Sequence, residues 1–178
     1  MDSFRIRDTR PADAAGIARV HVDTWRTAYR GIVSEGHLQS LSCETSAKRH
    51  QERLTRQAET GLVSMVAVWE GGEIVGFVNA GAERKGISGF DAEVYAVYVL
   101  EAYQGKGVGR ALLAGAAREL ARAGFSSVIL WALEANAARG FYEALGGAFV
   151  KADTIEIGGE KLPVVSYGWP DLGSLAGL

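Results

Sequence analysis

Residues 96–120, "AVYVLEAYQGKGVGRALLAGAAREL", decide the fold, because they pass from an apolar, strand-like run through a glycine loop into an alanine-rich amphipathic segment. The loop contains three alternate glycines, Gly105, Gly107 and Gly109. Glycine lets backbone amides come close to a ligand, and the N-terminus of a helix attracts anions. The stretch therefore predicts a strand–loop–helix unit that binds an anionic ligand.

Two familiar phosphate-binding motifs do not fit this loop. A P-loop requires G-x-x-x-x-G-K-[ST], but Gly105 and Lys106 are followed by Gly107. A dinucleotide fingerprint requires G-x-G-x-x-G, and its last glycine is replaced by Arg110 in one frame and by Leu112 in the other. That fingerprint also opens its domain, whereas this loop lies beyond the midpoint of the chain. A nucleotide-binding protein is therefore disfavoured.

Three spaced segments together resemble the GNAT superfamily of N-acetyltransferases. Residues 104–109, "QGKGVG", match the pattern [QR]-x-x-G-x-[GA] with which that family binds acetyl-coenzyme A. Residues 92–99, "AEVYAVYV", resemble its central strand, and residues 134–147, "EANAARGFYEALGG", resemble its N-x-x-x-x-F-Y-x-x-x-G segment. One glycine loop would be a weak signal, but three segments in the right order over residues 92–149 are a strong one.

The resemblance implies both a fold and a reaction. The expected fold is α/β (α+β) and GNAT-like, with a central mixed, mostly antiparallel sheet flanked by helices on both faces, in a single domain over residues 1–178. The expected activity is N-acetyl transfer from acetyl-coenzyme A to a primary amine of a small molecule or peptide, by direct attack in a ternary complex. The alternative is a non-catalytic module that binds an acyl-coenzyme A and regulates a partner.

The resemblance also assigns the contacts of the coenzyme. The strand before the loop is expected to contact it through its backbone, the loop through its amides and basic side chains, and an asparagine through its side chain. The residues are Val97, Tyr98, Val99, Gln104, Gly105, Lys106, Gly107, Val108, Gly109, Arg110 and Asn136. Asn136 is also placed to cap the short helix that follows it.

Acetyl transfer to an amine needs a base for the ammonium proton and an acid for the departing thiolate. By resemblance, Tyr142 matches the tyrosine that protonates the coenzyme A sulfur in many family members. Glu93 is the candidate base, since many relatives carry a glutamate at the start of this strand. The alternatives are a core aromatic for Tyr142 and a solvated strand-end charge for Glu93.

The acceptor site is predicted from aromatic residues. Trp25 and Tyr29 end the first predicted helix, in a region that often shapes the acceptor pocket in this family, although helical spacing also suits a core role. Tyr95 is a further candidate. Strict alternation along the strand predicts that Tyr95 and Tyr98 point to opposite faces.

Periodicity extends the prediction over the rest of the chain. Apolar residues at helical spacing predict helices, and β-rich runs joined by paired glycines predict hairpins. The predicted elements are a strand at 4–7, helices at 10–31 and 43–61, a hairpin at 62–83, a helix at 107–123, a strand at 126–133, a helix at 136–147 and a hairpin at 148–169.

Composition limits the other functions. The net charge of −2 gives no general attraction to nucleic acid or to an anionic membrane, and no apolar run is long enough to span one. The charged N-terminus lacks a signal core and Cys43 is the only cysteine, so a cytoplasmic protein is expected. The three histidines lack metal-ligand spacing, and we predict no metal. A homodimer is the expected oligomer.

Overall fold

The computed structural model describes residues 3–178 and contains one seven-stranded sheet. The strands are β1 (Phe4–Asp8), β2 (Val63–Trp69), β3 (Ile74–Ala82), β4 (Ala92–Val99), β5 (Val128–Leu133), β6 (Ala148–Ile157) and β7 (Glu160–Trp169). Their order in the sheet is β1-β2-β3-β4-β5-β7-β6. Only β4 and β5 pair in parallel, so the sheet is mixed and mostly antiparallel, as predicted.

Seven α-helices accompany the sheet within residues 3–178. They are α1 (Ala14–Ala28), α2 (Glu35–Ser40), α3 (Cys43–Thr55), α4 (Gln57–Thr60), α5 (Val108–Arg122), α6 (Arg139–Ala144) and α7 (Leu172–Ala176), with single 3₁₀ turns at Pro11–Asp13 and Glu101–Tyr103. The short helices α2 and α7 were not predicted, since neither is long enough to display a helical period. The predicted hairpins turn at Gly71–Gly72 and Gly158–Gly159, as expected.

Helix α5 packs its apolar side against one face of the sheet. Its leucines and alanines recur at helical spacing, and Leu112, Leu113 and Leu120 are fully buried against residues of β2, β3 and β4. Burial of each leucine contributes about 1.5–3 kcal/mol. The helix begins after Gly107 and ends before Gly124, which has a positive φ. The glycine loop is therefore fixed to the end of β4 by a well-packed helix.

Helices α1 and α3 cover the opposite face. Ile17 and Val20 of α1 and Leu54 of α3 pack with Val66 and Phe77 of the sheet. The helices flank the sheet on both faces, as the fold class predicted. None of the helices within residues 3–178 has the length and hydropathy needed to cross a membrane.

Strands β4 and β5 separate in the middle of the sheet. They pair only from Ala92 to Val94, opposite Val128 to Leu130. On its other side β4 keeps its partner β3, but the register shifts there, because Asn79 pairs with Ala96 and Ala80 with Val94. Tyr95 is thus an extra residue, a β-bulge that bends the strand. Within the described part of the chain, the C-terminal half of β4 therefore pairs with no strand on the β5 side.

Candidate active site

A cleft of about 820 Å³ lies at the point where β4 and β5 separate. It is bounded by β4, the glycine loop, the end of α1 and the start of α6. Most of the predicted site residues line it, namely Tyr29, Val97, Tyr98, Val99, Gln104, Gly105, Gly107, Gly109, Arg110, Asn136 and Tyr142. Residues separated by up to 113 positions in the chain are therefore brought to one surface.

The glycine loop exposes its backbone to this cleft. Gly105 and Gly107 have φ angles of 72° and 83°, a left-handed conformation that glycine adopts without strain. A Cβ at either position would meet nothing within 4 Å, so glycine is required by conformation and not by space. Gly107 is also the N-cap of α5. Helix amides without intrahelical partners therefore lie beside the cleft, as an anionic group requires.

Gln104 and Phe141 hold the two ends of the loop. The Gln104 side-chain amide donates to the Val99 carbonyl at 3.0 Å, which ties the loop to the end of β4. The Phe141 ring lies against Gly109, where an added Cβ would come within 3.1 Å of it. Phe141 is 37% exposed and lines the cleft, although we had not predicted it as a site residue. Its place in the "GFY" segment was the available signal.

Tyr142 lines the cleft with its side chain almost entirely buried. It is 7% exposed on α6, and burial raises the pKa of its hydroxyl above the usual range, with a further increase from Tyr98. Burial likewise raises the pKa of Tyr29 and of Tyr98, which line the same cleft. All three hydroxyls therefore stay protonated at neutral pH, and each carries a hydrogen that it can donate in a hydrogen bond.

Side chains of β7 fix helix α6, which carries Tyr142. Arg139 donates from Nε to the buried Tyr167 hydroxyl at 2.9 Å, and this hydroxyl donates to Glu143 at 2.8 Å. The Trp169 indole N–H donates to the Leu145 carbonyl at 2.9 Å, at the end of the helix. The orientation of α6 is thus set by hydrogen bonds to the sheet as well as by packing.

Tyr167→Phe is expected to lower the free energy of unfolding by about 1–2 kcal/mol, because the Tyr167 hydroxyl is buried and bonds two charged side chains. Urea denaturation measures this loss. Unchanged stability would contradict a role for this hydroxyl in fixing α6.

Glu93 lies outside the cleft, although it was predicted as the base. Its side chain is 3% exposed, and Arg84 donates to its two oxygens from Nη2 at 2.6 Å and from Nε at 3.1 Å. The backbone N–H of Arg84 adds a third bond at 3.3 Å. The structure therefore brings Tyr142 to the cleft and leaves Glu93 outside it, buried and paired with the exposed Arg84.

The prediction that Tyr95 and Tyr98 point to opposite faces is wrong, because the bulge at Tyr95 interrupts the alternation. The Tyr95 hydroxyl donates to the Ala82 carbonyl at 2.6 Å and lies over Gly81, on the face where Phe77 packs with Tyr98. Tyr95 lines a small cavity beside the cleft and not the cleft itself.

Three other predicted residues do not line the cleft. Trp25 packs edge-on against Tyr29, with ring centroids 4.9 Å apart. The Val108 side chain is 1% exposed in the core, so only its backbone can face a ligand. Lys106 extends toward the ring of Trp69, with Nζ 5.3 Å from the centroid.

Helix α1 contributes cleft residues that the sequence did not reveal. Thr24, Thr27 and Ala28 line the cleft beside Tyr29. The Thr24 hydroxyl is buried and has no hydrogen-bond partner within residues 3–178, so it is available to a ligand. The side-chain Oδ1 of Asn136, in contrast, accepts from the Ala138 backbone N–H at 2.9 Å. The described residues contain no group of three or more side chains suited to bind a metal ion.

Comparisons with known proteins agree with this geometry. The Acetyltransferase (GNAT) family matches residues 19–147. YuaI of Bacillus subtilis, an uncharacterized N-acetyltransferase, is 39% identical over 170 residues, which are 96% of this chain and 95% of YuaI.

Solved structures show the same fold at lower identity. The PaiA N-acetyltransferase of Thermoplasma acidophilum, solved in complex with coenzyme A, has a TM-score of 0.71 at 19% identity, over 94% of this chain and 99% of that one. YncA of Salmonella typhimurium, solved with acetyl-coenzyme A, has a TM-score of 0.69 at 23% identity, over 95% and 94%. With the family match over most of its length and a close N-acetyltransferase relative, this chain belongs to the GNAT family of acetyltransferases.

Proposed function

We propose that this protein transfers the acetyl group of acetyl-coenzyme A directly to a primary amine, in a ternary complex without a covalent enzyme intermediate. The observation that carries the proposal is that the protonated Tyr142 hydroxyl and the amides of the glycine loop share one cleft. The loop supplies donors for a pyrophosphate, and Tyr142 supplies a proton for a leaving thiolate. Both are what a coenzyme A thioester requires.

The reaction assigns a task to each part of the cleft. The amine nitrogen forms a bond to the thioester carbon, the carbon–sulfur bond breaks, and the Tyr142 hydroxyl delivers its proton to the departing sulfur. The separated edge of β4, from Val97 to Val99, provides backbone groups that bind the ligand and orient its carbonyl. Backbone N–H groups directed at a developing oxyanion contribute much of the rate in acyl transfer.

Removal of the amine proton is the step in which Glu93 was predicted to act, and that role stays a prediction. Both Glu93 oxygens accept hydrogen bonds from Arg84, and the carboxylate is buried. A proton on Glu93 would neutralise the carboxylate and so end its ion pair with Arg84, at the cost of the free energy that this pair contributes. We therefore propose that Glu93 holds Arg84 in position and that water in the cleft takes the proton.

Glu93→Gln is accordingly expected to lower the turnover number by less than about tenfold, because general-base catalysis contributes about 10²–10⁴-fold. A pH–rate profile checks this, since the variant should keep the acidic limb of the wild type. A loss of 100-fold or more, with a flattened acidic limb, would restore Glu93 as the base. Arg84→Gln serves as the matched variant for the ion pair.

Calorimetric titration of the purified protein with acetyl-coenzyme A tests the proposed function first, with ATP and NAD as controls. We expect micromolar, selective binding of acetyl-coenzyme A. Thiol release in the presence of amines then tests transfer. Preference for ATP or NAD would contradict the proposal.

A further inference from the structure

A small cavity of about 40 Å³ continues the cleft between β4 and β5. It shares Tyr29, Tyr98 and Tyr142 with the cleft and extends toward Tyr95 and Trp131, away from the glycine loop. A volume of this size admits an amino group and not a whole substrate. The rest of an acceptor must therefore lie at the mouth of the cavity, against the aromatic residues there.

Two cationic side chains of the loop between β3 and β4 lie over the faces of these aromatic rings. The Arg84 guanidinium lies 4.0 Å from the Tyr95 ring centroid, and the Lys85 ammonium lies 3.9 Å from the Trp131 ring centroid. Arg84 is matched by Glu93, whereas the ion pair of Lys85 with Asp153 is long, at 3.9 Å. A second cation at the mouth of the cavity would therefore find the ring faces of Tyr95 and Trp131 already covered by positive groups.

Trp131 also has a donor without a partner. Its indole N–H is buried and makes no hydrogen bond to any residue from 3 to 178. A buried donor left unsatisfied costs free energy, so such a group favours a ligand that supplies an acceptor oxygen. Trp131 thus combines an unpaired N–H with a lysine ammonium over its ring.

We propose that the acceptor is a primary amine that also carries a carboxylate, and that Lys85 and the Trp131 N–H bind this carboxylate while the amino group enters the cavity. The proposal rests on the acetyl transfer proposed above and names the class of its acceptor. It selects against polyamines and other polycations, because the Lys85 ammonium repels a second positive charge and the faces of both rings are already covered by cations. The Lys85 charge also favours the uncharged form of the amine that must attack.

The test compares matched acceptors at saturating acetyl-coenzyme A, with thiol release as the readout. Each pair is an amino acid and its carboxamide, namely glycine, L-methionine and L-phenylalanine with their amides, and spermidine represents polycations. Rates are compared per concentration of unprotonated amine, because the amides have more acidic ammonium groups. The wild type should favour the carboxylates in kcat/KM by about tenfold or more, since a charged hydrogen bond is lost in the amides.

Variants identify the groups responsible. Lys85→Gln should reduce the preference for carboxylates toward one, mainly through KM, and Lys85→Arg should restore it. Trp131→Phe should reduce the preference, because it removes the indole N–H while keeping an aromatic ring, although a smaller one, at this position. Lys161→Gln, at the exposed start of β7, is the matched control and should leave it unchanged.

Three results would overturn the inference, and each leaves acetyl-coenzyme A binding intact. They are a preference for amides or spermidine, acetylation of none of the carboxylate-bearing amines, and a carboxylate preference that survives in Lys85→Gln. Absence of acetyl-coenzyme A binding in the calorimetric titration would instead contradict the proposed function itself.

Discussion

Tyr142→Phe is expected to lower kcat about 100-fold or more while leaving the Kd of acetyl-coenzyme A unchanged. The change removes one hydroxyl and keeps the ring that fills the buried site on α6. Without the Tyr142 proton the thiolate must leave unprotonated or wait for water, and general acid catalysis contributes about 10²–10⁴-fold. Steady-state thiol release and calorimetric titration measure the two quantities separately.

A surface tyrosine provides the control for this variant. The Tyr103 hydroxyl donates to Glu73 at 2.7 Å and does not line the cleft, so Tyr103→Phe should retain nearly full activity. Full activity of Tyr142→Phe would remove this tyrosine from the mechanism. If the wild-type protein binds acetyl-coenzyme A but does not release thiol with any of the amines tested, the result would favour the non-catalytic module instead.

Gly107→Asp is expected to weaken acetyl-coenzyme A binding by about 30-fold relative to Gly107→Asn. The two side chains have nearly the same shape, and Asn and Asp both tolerate a positive φ better than other residues. Asp, however, places a negative charge at the N-terminus of α5, where the pyrophosphate is proposed to bind. Repulsion between close charges of this kind costs about 1–4 kcal/mol, and 2 kcal/mol corresponds to about 30-fold.

The thermal stability of the same pair separates binding from folding. Aspartate is a favoured N-cap and interacts well with the helix dipole, so the free Gly107→Asp protein should unfold at the same temperature as Gly107→Asn or higher. Lower affinity with undiminished stability would assign the effect to the ligand. Equal affinities of the two variants would show that no anion binds at this end of α5.

The sequence predicts those parts of the site that depend on neighbours in the chain. The connection from β4 to α5 is encoded locally, in the apolar run, the alternate glycines and the alanine-rich helical period. Both ends of α5 in the structure lie within one residue of the prediction. The family motif adds Asn136 and Tyr142, and both line the cleft. Local geometry and motif together therefore locate the sides of the cleft that are formed by β4, the glycine loop and the start of α6.

Tertiary pairing decides the rest. The bulge at Tyr95 depends on the register between β3 and β4, which no spacing within β4 specifies. A charged residue at the start of an apolar strand suggests either a solvent-exposed charge or a catalytic group. Glu93 is neither exposed nor in the cleft, because Arg84, in the loop between β3 and β4, donates to both of its oxygens. The cleft residues of α1, such as Thr24, fall beside its apolar stripe and are recognisable only once the facing strand is known.

Because β4 separates from β5, one edge of an interior strand of the sheet is open in the free protein. Amides from Ala96 to Val99 that point toward β5 pair with no strand among residues 3–178, and they should exchange with deuterium quickly, although β4 lies in the middle of the sheet. A ligand that pairs with this edge would slow that exchange and raise the melting temperature. In the proposed reaction the ligand would pair with this edge of β4 and supply hydrogen-bond partners that the free protein lacks there.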